Sequence, residues 1–263
     1  MRIATWNINS LRLRLPLLTH LITALDPDVI CLQETKVPDE HFPEDALTAA
    51  GYGHFVRAGM KSYNGVAIFS RLPLTLLAAP NWCGRGDCRH LAVRVGEGKQ
   101  AVELHNFYVP AGGDVPDREV NEKFGHKLDF ITEVTAWFAA RKKLTRCVLV
   151  GDLNIAPGEH DVWSHKRLLD VVSHTPIEVE KLTAWMKTGF YDAVRHFVPA
   201  TEKLYSWWSY RNRDWSVSDR GRRLDHVWVS KDLVAGLRAF RILRDARDWT
   251  QPSDHVPVMV ELD

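Results

Sequence analysis

The sequence predicts an α/β fold in which stacked β-sheets are covered by helices. Short apolar or alternating segments recur along all 263 residues, whereas few segments have long helical periodicity. No proline- or serine-rich linker, repeat or low-complexity segment divides the chain. These observations favour stacked sheets over a doubly wound parallel sheet, and they predict a single domain over residues 1–263.

The predicted strands are short segments of continuous apolar character or of two-residue alternation. They lie near Ile3–Ile8, Val29–Gln33, Gly65–Phe69, Val102–Tyr108, Cys147–Gly151, Asp225–Val229 and Val256–Leu262. Apolar residues at steps of three and four predict helices from about Leu13 to Leu25 and from Asp117 to Ala140, with a weaker pattern at Glu178–Lys187. The helix beginning near Asp117 has the clearest apolar face, which is formed by Val120, Phe124, Leu128, Ile131, Val134 and Phe138.

The composition is that of an ordinary globular protein. Apolar residues make up 45% of the chain and charged residues 25%, and the formal net charge is only +1. Positive charge is concentrated in a basic strip, which we define as Arg211, Arg213, Arg220, Arg222 and Arg223. This strip fits either a ligand that carries phosphate or a solvated face.

The cysteine pattern and the amino-terminal segment predict the compartment. The four cysteines have no disulfide-framework spacing, which favours a reducing environment, and Cys83 and Cys88 lack the second pair that a structural zinc site needs. The chain begins without a signal-peptide core, and no segment approaches 18 consecutive apolar residues. We therefore expect a soluble, cytoplasmic protein that does not bind membranes and that acts as a monomer.

Polar residues stand where several predicted strands end. In VLVGDLNIAP, Asp152 and Asn154 follow directly after an apolar strand. The same holds for Asn7 and Asn9, for Gln33 and Glu34, and for Asn106 and Tyr108, whereas Asp225 begins a predicted strand and Asp254 with His255 stands just before the last one. Each is by itself an ordinary turn residue or cap, but six such ends are poorly explained by independent turns. Since neighbouring strand ends converge in space, we predict a functional site at this edge.

The residue types at these ends indicate phosphate chemistry with a hard cation. Carboxylate and amide oxygens without a cysteine or histidine cluster suit Mg²⁺ or Mn²⁺ rather than zinc. The sequence contains no P-loop and no G-x-S-x-G pattern. The segments SDH and LDH can supply an imidazole held by a carboxylate, which is a good donor towards phosphoryl oxygens. Asp152, expected to be ionised at neutral pH, can orient or deprotonate a water.

Seven segments of the chain, taken in order, resemble one known family. They are WNINSLR (6–12), LQETK (32–36), YVPAG (108–112), GDLNIAP (151–157), SWWSYR (206–211), RLDHVWVS (223–230) and SDHVPV (253–258). Between Ile3 and Glu261 the sequence closely resembles the exonuclease III-type abasic-site (AP) endonucleases of the endonuclease/exonuclease/phosphatase superfamily. GDLNIAP and SDHVPV are typical of the superfamily, and WNINSLR, LQETK and SWWSYR narrow the resemblance to its DNA-repair branch.

The resemblance implies a fold and a set of catalytic roles. The fold would be a four-layered α/β sandwich, with two mixed β-sheets packed face to face and flanked by helices. Asp152 would activate the attacking water and Asn154 would hold the phosphate. His255, oriented by Asp225, would face the scissile phosphate, and Tyr108 would donate its hydroxyl near the same charge.

The resemblance also implies metal ligands and substrate contacts. Glu34 would be the main ligand of Mg²⁺ or Mn²⁺. The further candidate ligands are Asn7, Asn9, Asp152, Asn154, Asp254 and His255. The candidate substrate-binding residues are Asn7, Asn154, Trp207, Leu224, Arg222 and Arg211, of which Trp207 and Leu224 would wall a pocket for a sugar without a base.

The sequence departs from the family pattern at two positions. Ala111 stands where family members commonly have an amide side chain that touches phosphate. Arg222 stands where an apolar or aromatic residue usually completes the sugar pocket. We expect Arg222 to turn its guanidinium outward to a backbone phosphate while its methylenes pack on the sugar. The alternative is a charge that holds the pocket open and favours exonuclease activity.

The expected function is that of a metal-dependent DNA-repair nuclease. It would cut 5′ of abasic sites in duplex DNA and would also have 3′→5′ exonuclease activity and remove blocking groups from 3′ ends. The alternatives are another phosphoesterase of the superfamily, acting on an inositol phosphate, a phospholipid or RNA, and a DNA-binding module that has lost catalysis. The paired tryptophans of SWWSYR and the lack of a membrane-binding segment favour DNA.

Overall fold

The computed structural model describes residues 1–212 and 214–263. Arg213, a member of the predicted basic strip, lies outside the described residues. Most strands belong to two six-stranded mixed sheets, and a two-stranded ribbon lies apart from them.

The strands and helices are numbered in chain order. The strands are β1 (Arg2–Asn7), β2 (Val29–Gln33), β3 (His54–Ala58), β4 (Val66–Ser70), β5 (Leu74–Leu76), β6 (His90–Val95), β7 (Val102–Tyr108), β8 (Cys147–Asp152), β9 (Phe190–Asp192), β10 (Trp207–Trp208), β11 (Gly221–Arg222), β12 (Asp225–Ser230), β13 (Leu237–Ile242) and β14 (Val258–Leu262). The helices are α1 (Leu11–Leu25), α2 (Glu44–Ala49), α3 (Glu122–Ala139), α4 (His165–Leu168), α5 (Pro176–Met186) and α6 (Trp215–Ser218).

Both six-stranded sheets are built around one parallel pair of strands. The first sheet has the order β13-β14-β1-β2-β4-β3, and β1 is parallel to β2. The second has the order β5-β6-β7-β8-β12-β9, and β7 is parallel to β8. All other pairings are antiparallel among the described strands. The carboxyl ends of a parallel pair lie at the same edge of their sheet, so each sheet offers two adjacent loops there.

The two sheets pack face to face over a shared apolar layer. This layer is rich in β-branched residues from both central pairs, such as Val29 and Val148, which are fully buried. The outer face of the first sheet is covered by α1, whose Leu18 and Leu21 pack in one cluster with Trp6. The resulting order is helix, sheet, sheet, helix.

The outer face of the second sheet is covered by α3 and α5. Phe130, Ile131 and Val134 of α3 and Trp185 of α5 pack in one cluster with Phe107 of the sheet. The four-layered α/β sandwich predicted from the sequence is therefore confirmed. Among the described residues, no helix combines the length and the apolar character needed to cross a membrane.

Several element boundaries differ from the prediction for local reasons. α3 begins at Glu122, because the side chain of Asn121 caps it by accepting a hydrogen bond from the backbone N–H of Lys123. Val120, predicted on the apolar face of this helix, precedes it and is 75% exposed. β14 begins at Val258 rather than at Val256, because Pro257 has no N–H to donate to a ladder.

Candidate active site

The carboxyl ends of the four central parallel strands meet at one edge of the sandwich. β1 ends at Asn7 and β2 is followed by Glu34 in the first sheet, while β7 ends at Tyr108 and β8 at Asp152 in the second. Asn7 links the two sheets here, since its Nδ2 lies 2.9 Å from Oε1 of Glu34 and 2.8 Å from Oδ2 of Asp152. The strand ends singled out in the sequence thus form one cluster.

Asp152 occupies the middle of this cluster because of the strand register. It pairs with Tyr108 of β7 on one side and with Asp225 of β12 on the other. Gly151, just before it, has a φ of 141°, and a Cβ at this position would collide with the carbonyl oxygen of Phe107. Glycine is therefore required for β7 and β8 to approach closely where β8 ends.

The carboxylate of Asp152 accepts hydrogen bonds on both oxygens. Its Oδ1 accepts from the backbone N–H of Asn154 at 2.9 Å, and its Oδ2 accepts from Nδ2 of Asn7 and from Nδ2 of Asn154 at 3.2 Å. Nδ2 of Asn154 also donates to the carbonyl oxygen of Val109 at 2.9 Å. Both amide hydrogens of Asn154 are thus engaged in orienting Asp152 and the loop beside it.

His255 lies between two carboxylates. Its Nδ1 is 2.8 Å from Oδ2 of Asp225, and its Nε2 is 3.7 Å from Oδ2 of Asp152. Asp225 is itself fixed by Ser206, whose hydroxyl donates to Oδ2 at 2.6 Å and accepts the backbone N–H of Asp225 at 3.0 Å. This arrangement matches the orienting role that the sequence resemblance implied for Asp225.

The pKa values of both His255 and Asp152 are raised above their usual values. Burial alone would lower the pKa of His255, but the negative charges of Asp225 and Asp152 outweigh it and raise the pKa to about 10. His255 is therefore an imidazolium at neutral pH. Burial raises the pKa of Asp152 to about 7, with His255 opposing the rise and Asp225 adding to it. Burial therefore opposes the ionisation of Asp152 at neutral pH that was expected from the sequence.

The pKa values of Glu34 and Tyr108 shift in opposite directions. Burial opposes ionisation of Glu34, yet the charge of Lys36 and the hydrogen bond from Asn7 outweigh it, so the pKa of Glu34 is lowered. Burial, together with the charges of Glu34 and Asp152, raises the pKa of Tyr108 well above its usual value. The hydroxyl of Tyr108 therefore keeps its proton and remains a hydrogen-bond donor near the charges of Glu34 and Asp152.

The oxygens of Glu34 and Asn9 fit a hard cation. The ammonium group of Lys36 lies 2.8 Å from Oε2 of Glu34 and 2.6 Å from Oδ1 of Asn9, so the two oxygens already converge on one positive charge. Asp254 fixes this orientation of Asn9 by accepting from its Nδ2 at 3.1 Å. The other oxygen of Asp254 accepts from Nε1 of Trp207 at 2.9 Å. Both oxygens of Asp254 thus accept hydrogen bonds, and one of them holds the side chain of Asn9 in place. The assignment of Asp254 as a metal ligand stays a prediction.

Asn7 differs from the oxygen ligand expected from the sequence. Its Oδ1 accepts the backbone N–H of Asn9 at 3.1 Å, so Asn7 presents its NH₂ group to the centre of the site. It acts here as a donor that holds the carboxylates of Glu34 and Asp152 next to each other. Asp152, Asp225 and His255 also lie within 4.8 Å of one another, which makes them the second group that could hold a metal at this edge.

Three of the site residues have a left-handed backbone. The φ values are 47° for Asn9, 49° for Glu34 and 54° for Asn154. Glu34 is the unusual member, because this conformation disfavours residues other than glycine and asparagine. Left-handed residues that cluster at a site are held by the surrounding contacts, and here Glu34 and Asn154 line the cleft.

The cluster forms the floor of a cleft of about 740 Å³. Trp207, Leu224 and Arg222 all line this cleft, as expected. Trp207 and Arg222 are direct partners in the ribbon of β10 and β11, and the guanidinium carbon of Arg222 lies 5.3 Å from the ring centroid of Trp207. The wall is thus aromatic on one side and cationic on the other.

Arg222 does not turn outward, contrary to the sequence-based expectation. Its Nη1 donates to the carbonyl oxygen of Val172 at 3.0 Å and to Oγ of Ser173 at 2.7 Å. These acceptors lie on the loop before α5, which also lines the cleft. The short distance to these oxygens and the stacking on Trp207 explain why the side chain stays inside.

The predicted basic strip divides in the structure. Arg211 and Arg220 line the cleft together with Arg222. Arg223 is buried and pairs with Asp161 and Asp192, with its Nε 2.8 Å from Oδ1 of Asp161. One described member of the strip therefore stabilises the core behind the cleft and is not available to a ligand.

Two of the strand-end polar residues serve the core instead of the site. Nε2 of Gln33 donates to Oδ1 of Asn106 at 2.6 Å, and Nδ2 of Asn106 donates to the carbonyl oxygens of Leu32 and Ala67 at 3.0 Å each. Asn106 belongs to the second sheet and its acceptors to the first, so this is a buried polar link between the sheets. It holds the two halves of the site in register.

Sequence reasoning missed Ser206, Lys36 and Lys127. Ser206 and Lys36 lie inside motifs but carry no pattern that separates them from solvated residues. Lys127 had a visible signal, because it falls on the apolar face of α3 at steps of three and four from Phe124 and Ile131. A lysine there must find buried partners.

Comparison with known proteins identifies the family and the fold of the chain. Residues 4–255 match the endonuclease/exonuclease/phosphatase family. The chain is 31% identical over 268 residues to an exodeoxyribonuclease of Bacillus subtilis, covering 98% of both proteins. It is similar in structure to an AP endonuclease from Archaeoglobus fulgidus, with a TM-score of 0.92, 28% identity, and 100% and 99% of the two chains covered. A 3′ phosphatase from Neisseria bound to a product DNA hairpin has a TM-score of 0.88 and 31% identity over 100% and 99%.

Proposed function

The chain belongs to the endonuclease/exonuclease/phosphatase family, and on this basis we propose that it is a divalent-metal-dependent DNA-repair phosphodiesterase of the exodeoxyribonuclease III type. Its substrate is duplex DNA, which it cuts 5′ of abasic sites. It also degrades 3′ ends and removes 3′ blocking groups. We propose that residues 1–263 form one catalytic domain that works as a monomer in the cytoplasm. The names of the relatives, which include an exodeoxyribonuclease, an AP endonuclease and a 3′ phosphatase, support these activities.

The observation that carries this proposal is the placement of a base and an acid on opposite sides of one small gap. Hydrolysis of a phosphodiester in line needs a placed water, compensation of the charge on the phosphoryl oxygens and a stabilised leaving oxygen. Asp152, held by Asn7 and Asn154, can accept the proton of the attacking water once it is ionised. Its position at the centre of the floor makes it the only carboxylate of the described residues in contact with Asn7, Asn154 and His255 together.

His255 supplies positive charge towards the phosphoryl group. Its Nε2 is 3.7 Å from Asp152, beyond hydrogen-bond distance, so the proton on Nε2 is free to be donated to a phosphoryl oxygen. The bond from Nδ1 to Asp225 keeps the ring in this orientation. Tyr108, with its proton retained, is the second donor proposed to face the same charge.

A hard divalent cation completes the proposed site at Glu34 and Asn9. When bound there, Mg²⁺ or Mn²⁺ would add positive charge beside the phosphoryl oxygens. Asp254 would keep Asn9 oriented, and Lys36 would have to move from the oxygens that it now occupies. The sequence-based assignment of Asp152, Asn154 and His255 to a second ion stays a prediction.

A turnover assay separates this function from its alternatives. Three substrates are compared: a fluorescent abasic duplex, a duplex with a 3′-phosphate, and an inositol phosphate. Each is incubated with Mg²⁺ or with excess EDTA. We expect metal-dependent cleavage of both duplexes and none of the inositol phosphate. DNA binding without turnover would instead identify a module that has lost catalysis, and cleavage of the inositol phosphate alone would refute the DNA-repair assignment.

A further inference from the structure

A fully buried ion pair lies behind the floor of the cleft, between α3 and α5. The side chains of Lys127 and Glu178 both have 0% exposure, and Nζ of Lys127 is 2.5 Å from Oε1 of Glu178. Neither residue belongs to a strand of the site, and none of the roles proposed above uses them. Burying two charges is costly, so a pair of this kind needs further hydrogen bonds to both partners.

The ammonium group of Lys127 also donates hydrogen bonds to two loops that line the cleft. Nζ donates to the carbonyl oxygen of Asn154 at 2.8 Å and to that of Ala111 at 3.2 Å. Together with Glu178, these acceptors use all three hydrogens of the ammonium group. Both Ala111 and Asn154 line the cleft. The carbonyl of Asn154 belongs to a left-handed residue, a conformation that its surroundings have to hold.

Glu178 holds the third loop. Its two oxygens accept the backbone N–H of Ser173 at 3.0 and 2.9 Å, and Oε2 accepts the N–H of Thr175 at 3.1 Å and its hydroxyl at 2.7 Å. Ser173 lines the cleft, and its carbonyl oxygen accepts the N–H of Ala156 from the loop after β8. The loops at 108–114, 152–157 and 171–175 therefore converge on one ion pair.

The loop after Tyr108 packs tightly against the side chain of Lys127. Gly112 has a φ of 91°, and a Cβ there would lie 2.9 Å from Cδ of Lys127 and 3.1 Å from Cγ1 of Val172. The loop after Tyr108 thus lies directly on the stem of the lysine. A change in the length or charge of this side chain must be felt by all three loops at once.

We propose that Lys127, neutralised by Glu178, is a positioning residue that fixes the turn at Asn154 and thereby the orientation of the Asp152 carboxylate. This inference rests on the proposed function, since it concerns the geometry of the same reaction. The effect passes through the backbone of Asn154, whose N–H and side chain both donate to Asp152. A misplacement of the order of 1 Å in such a site reduces turnover by as much as about 10²-fold.

A purely structural role makes a different prediction. Buried ion pairs can often be replaced by uncharged side chains of similar volume with little loss of stability. If the pair only held the fold together, removing both charges would restore stability and turnover together. If Lys127 positions the site, removing both charges would restore stability alone, because no donor would reach the carbonyl of Asn154.

The test compares Lys127→Met with the double variant Lys127→Met/Glu178→Gln. Glutamine keeps an acceptor for the N–H groups of Ser173 and Thr175. Lys123→Met is the matched control, since Lys123 is an exposed lysine of the same helix. Melting temperature, kcat and KM on the abasic duplex are measured for each, well below the lowest melting temperature. We expect both Lys127 variants to have a kcat ~10–100-fold below wild type with KM nearly unchanged. The double variant should melt close to wild type, and Lys123→Met should match wild type throughout.

The outcomes separate this inference from the proposed function. A double variant that recovers wild-type kcat along with its melting temperature would overturn the positioning role, as would a rise in KM at constant kcat. If Lys127→Met does not fold, the kcat of the double variant alone decides. Wild-type protein that cleaves no duplex with Mg²⁺ or Mn²⁺ would instead overturn the proposed function, because every variant is compared with wild-type turnover.

Discussion

Replacing Asp152 by asparagine tests the base at the centre of the site. The substitution preserves the size of the side chain but removes the charge that would take the proton from water. Every hydrogen-bond partner of this carboxylate is a donor: the N–H of Asn154, Nδ2 of Asn7 and Nδ2 of Asn154. An asparagine at this position must point its own NH₂ group at one of them, so one buried donor loses its acceptor.

The structure sets the size of both effects. One buried donor without a partner costs ~1–3 kcal/mol of unfolding free energy. Part of this is offset because burial already disfavours the charged form of Asp152. For a chain of this length, a loss of about 1–2 kcal/mol lowers the melting temperature by roughly 2–8 °C, which leaves the variant folded at assay temperature. Loss of a general base reduces kcat by ~10²–10⁴-fold.

The assay measures kcat, KM and duplex affinity for Asp152→Asn beside Asp170→Asn, an exposed aspartate as control. We expect kcat to fall at least ~10²-fold while affinity for the abasic duplex stays close to wild type, because contacts to backbone phosphates position the DNA. A variant that lost affinity but kept its turnover rate would refute the role of Asp152. So would a kcat loss that Asp170→Asn shared.

Four further predictions follow from the same site. Glu34→Ala should sharply raise the Mg²⁺ or Mn²⁺ concentration needed for half-maximal cleavage; full wild-type activity in excess EDTA would exclude Glu34 as a metal ligand. Arg211→Glu should weaken binding to abasic and intact duplexes alike and flatten the dependence of log affinity on log salt; salt-independent binding of the wild type would contradict this. Turnover should rise as pH increases through about 7, where Asp152 ionises, and fall as pH approaches about 10, where His255 loses its proton; a profile that is flat from neutral to strongly alkaline pH would contradict the pairing. Trp207→Ala should raise the activation free energy of abasic cleavage by ~1–3 kcal/mol and that of 3′-end degradation by less, and unchanged abasic cleavage would exclude Trp207 as a wall of the sugar pocket. Arg222→Trp should raise the preference for the abasic duplex only modestly.

The interior strands of the two sheets were predicted from the sequence with the exception of β6, whereas the edge strands β3, β5, β9 and β13 were not predicted. β1, β2, β7, β8 and β12 are buried on both faces or nearly so, and their short apolar or alternating segments predicted them. β13 lies at the edge of its sheet, and its half-exposed residues dilute the alternation. β10 and β11 have two residues each, too few for any period to be detected. Tertiary pairing, not local pattern, decides such segments.

Within the site, residue types were predictable but hydrogen-bond directions were not. Strand-end position and chemistry were enough to select Asp152, Glu34 and His255. The sequence could not reveal that Asn7 turns its NH₂ group inward, because this follows from the backbone N–H of Asn9 holding its oxygen. The ionisation of Asp152 was likewise beyond sequence reasoning, since it depends on complete burial beside Asp225.

The position of Arg222 on the cleft wall was predicted from the sequence, but the direction of its side chain was not. The sequence placed it on the cleft wall, where it lies, and a phosphate partner was assumed because an unpaired buried guanidinium would be costly. The structure provides another solution, since the carbonyl of Val172, the hydroxyl of Ser173 and the face of Trp207 satisfy most of the group. None of these partners is a carboxylate, and Arg222 forms no salt bridge within the described part of the chain. The charge is therefore anchored but not neutralised, and the wall of this cleft retains a fixed positive charge beside the aromatic ring. A substrate with an anionic group next to the sugar at this wall is attracted by that charge. Arg222→Trp should therefore change the ratio of 3′-phosphate removal to abasic cleavage.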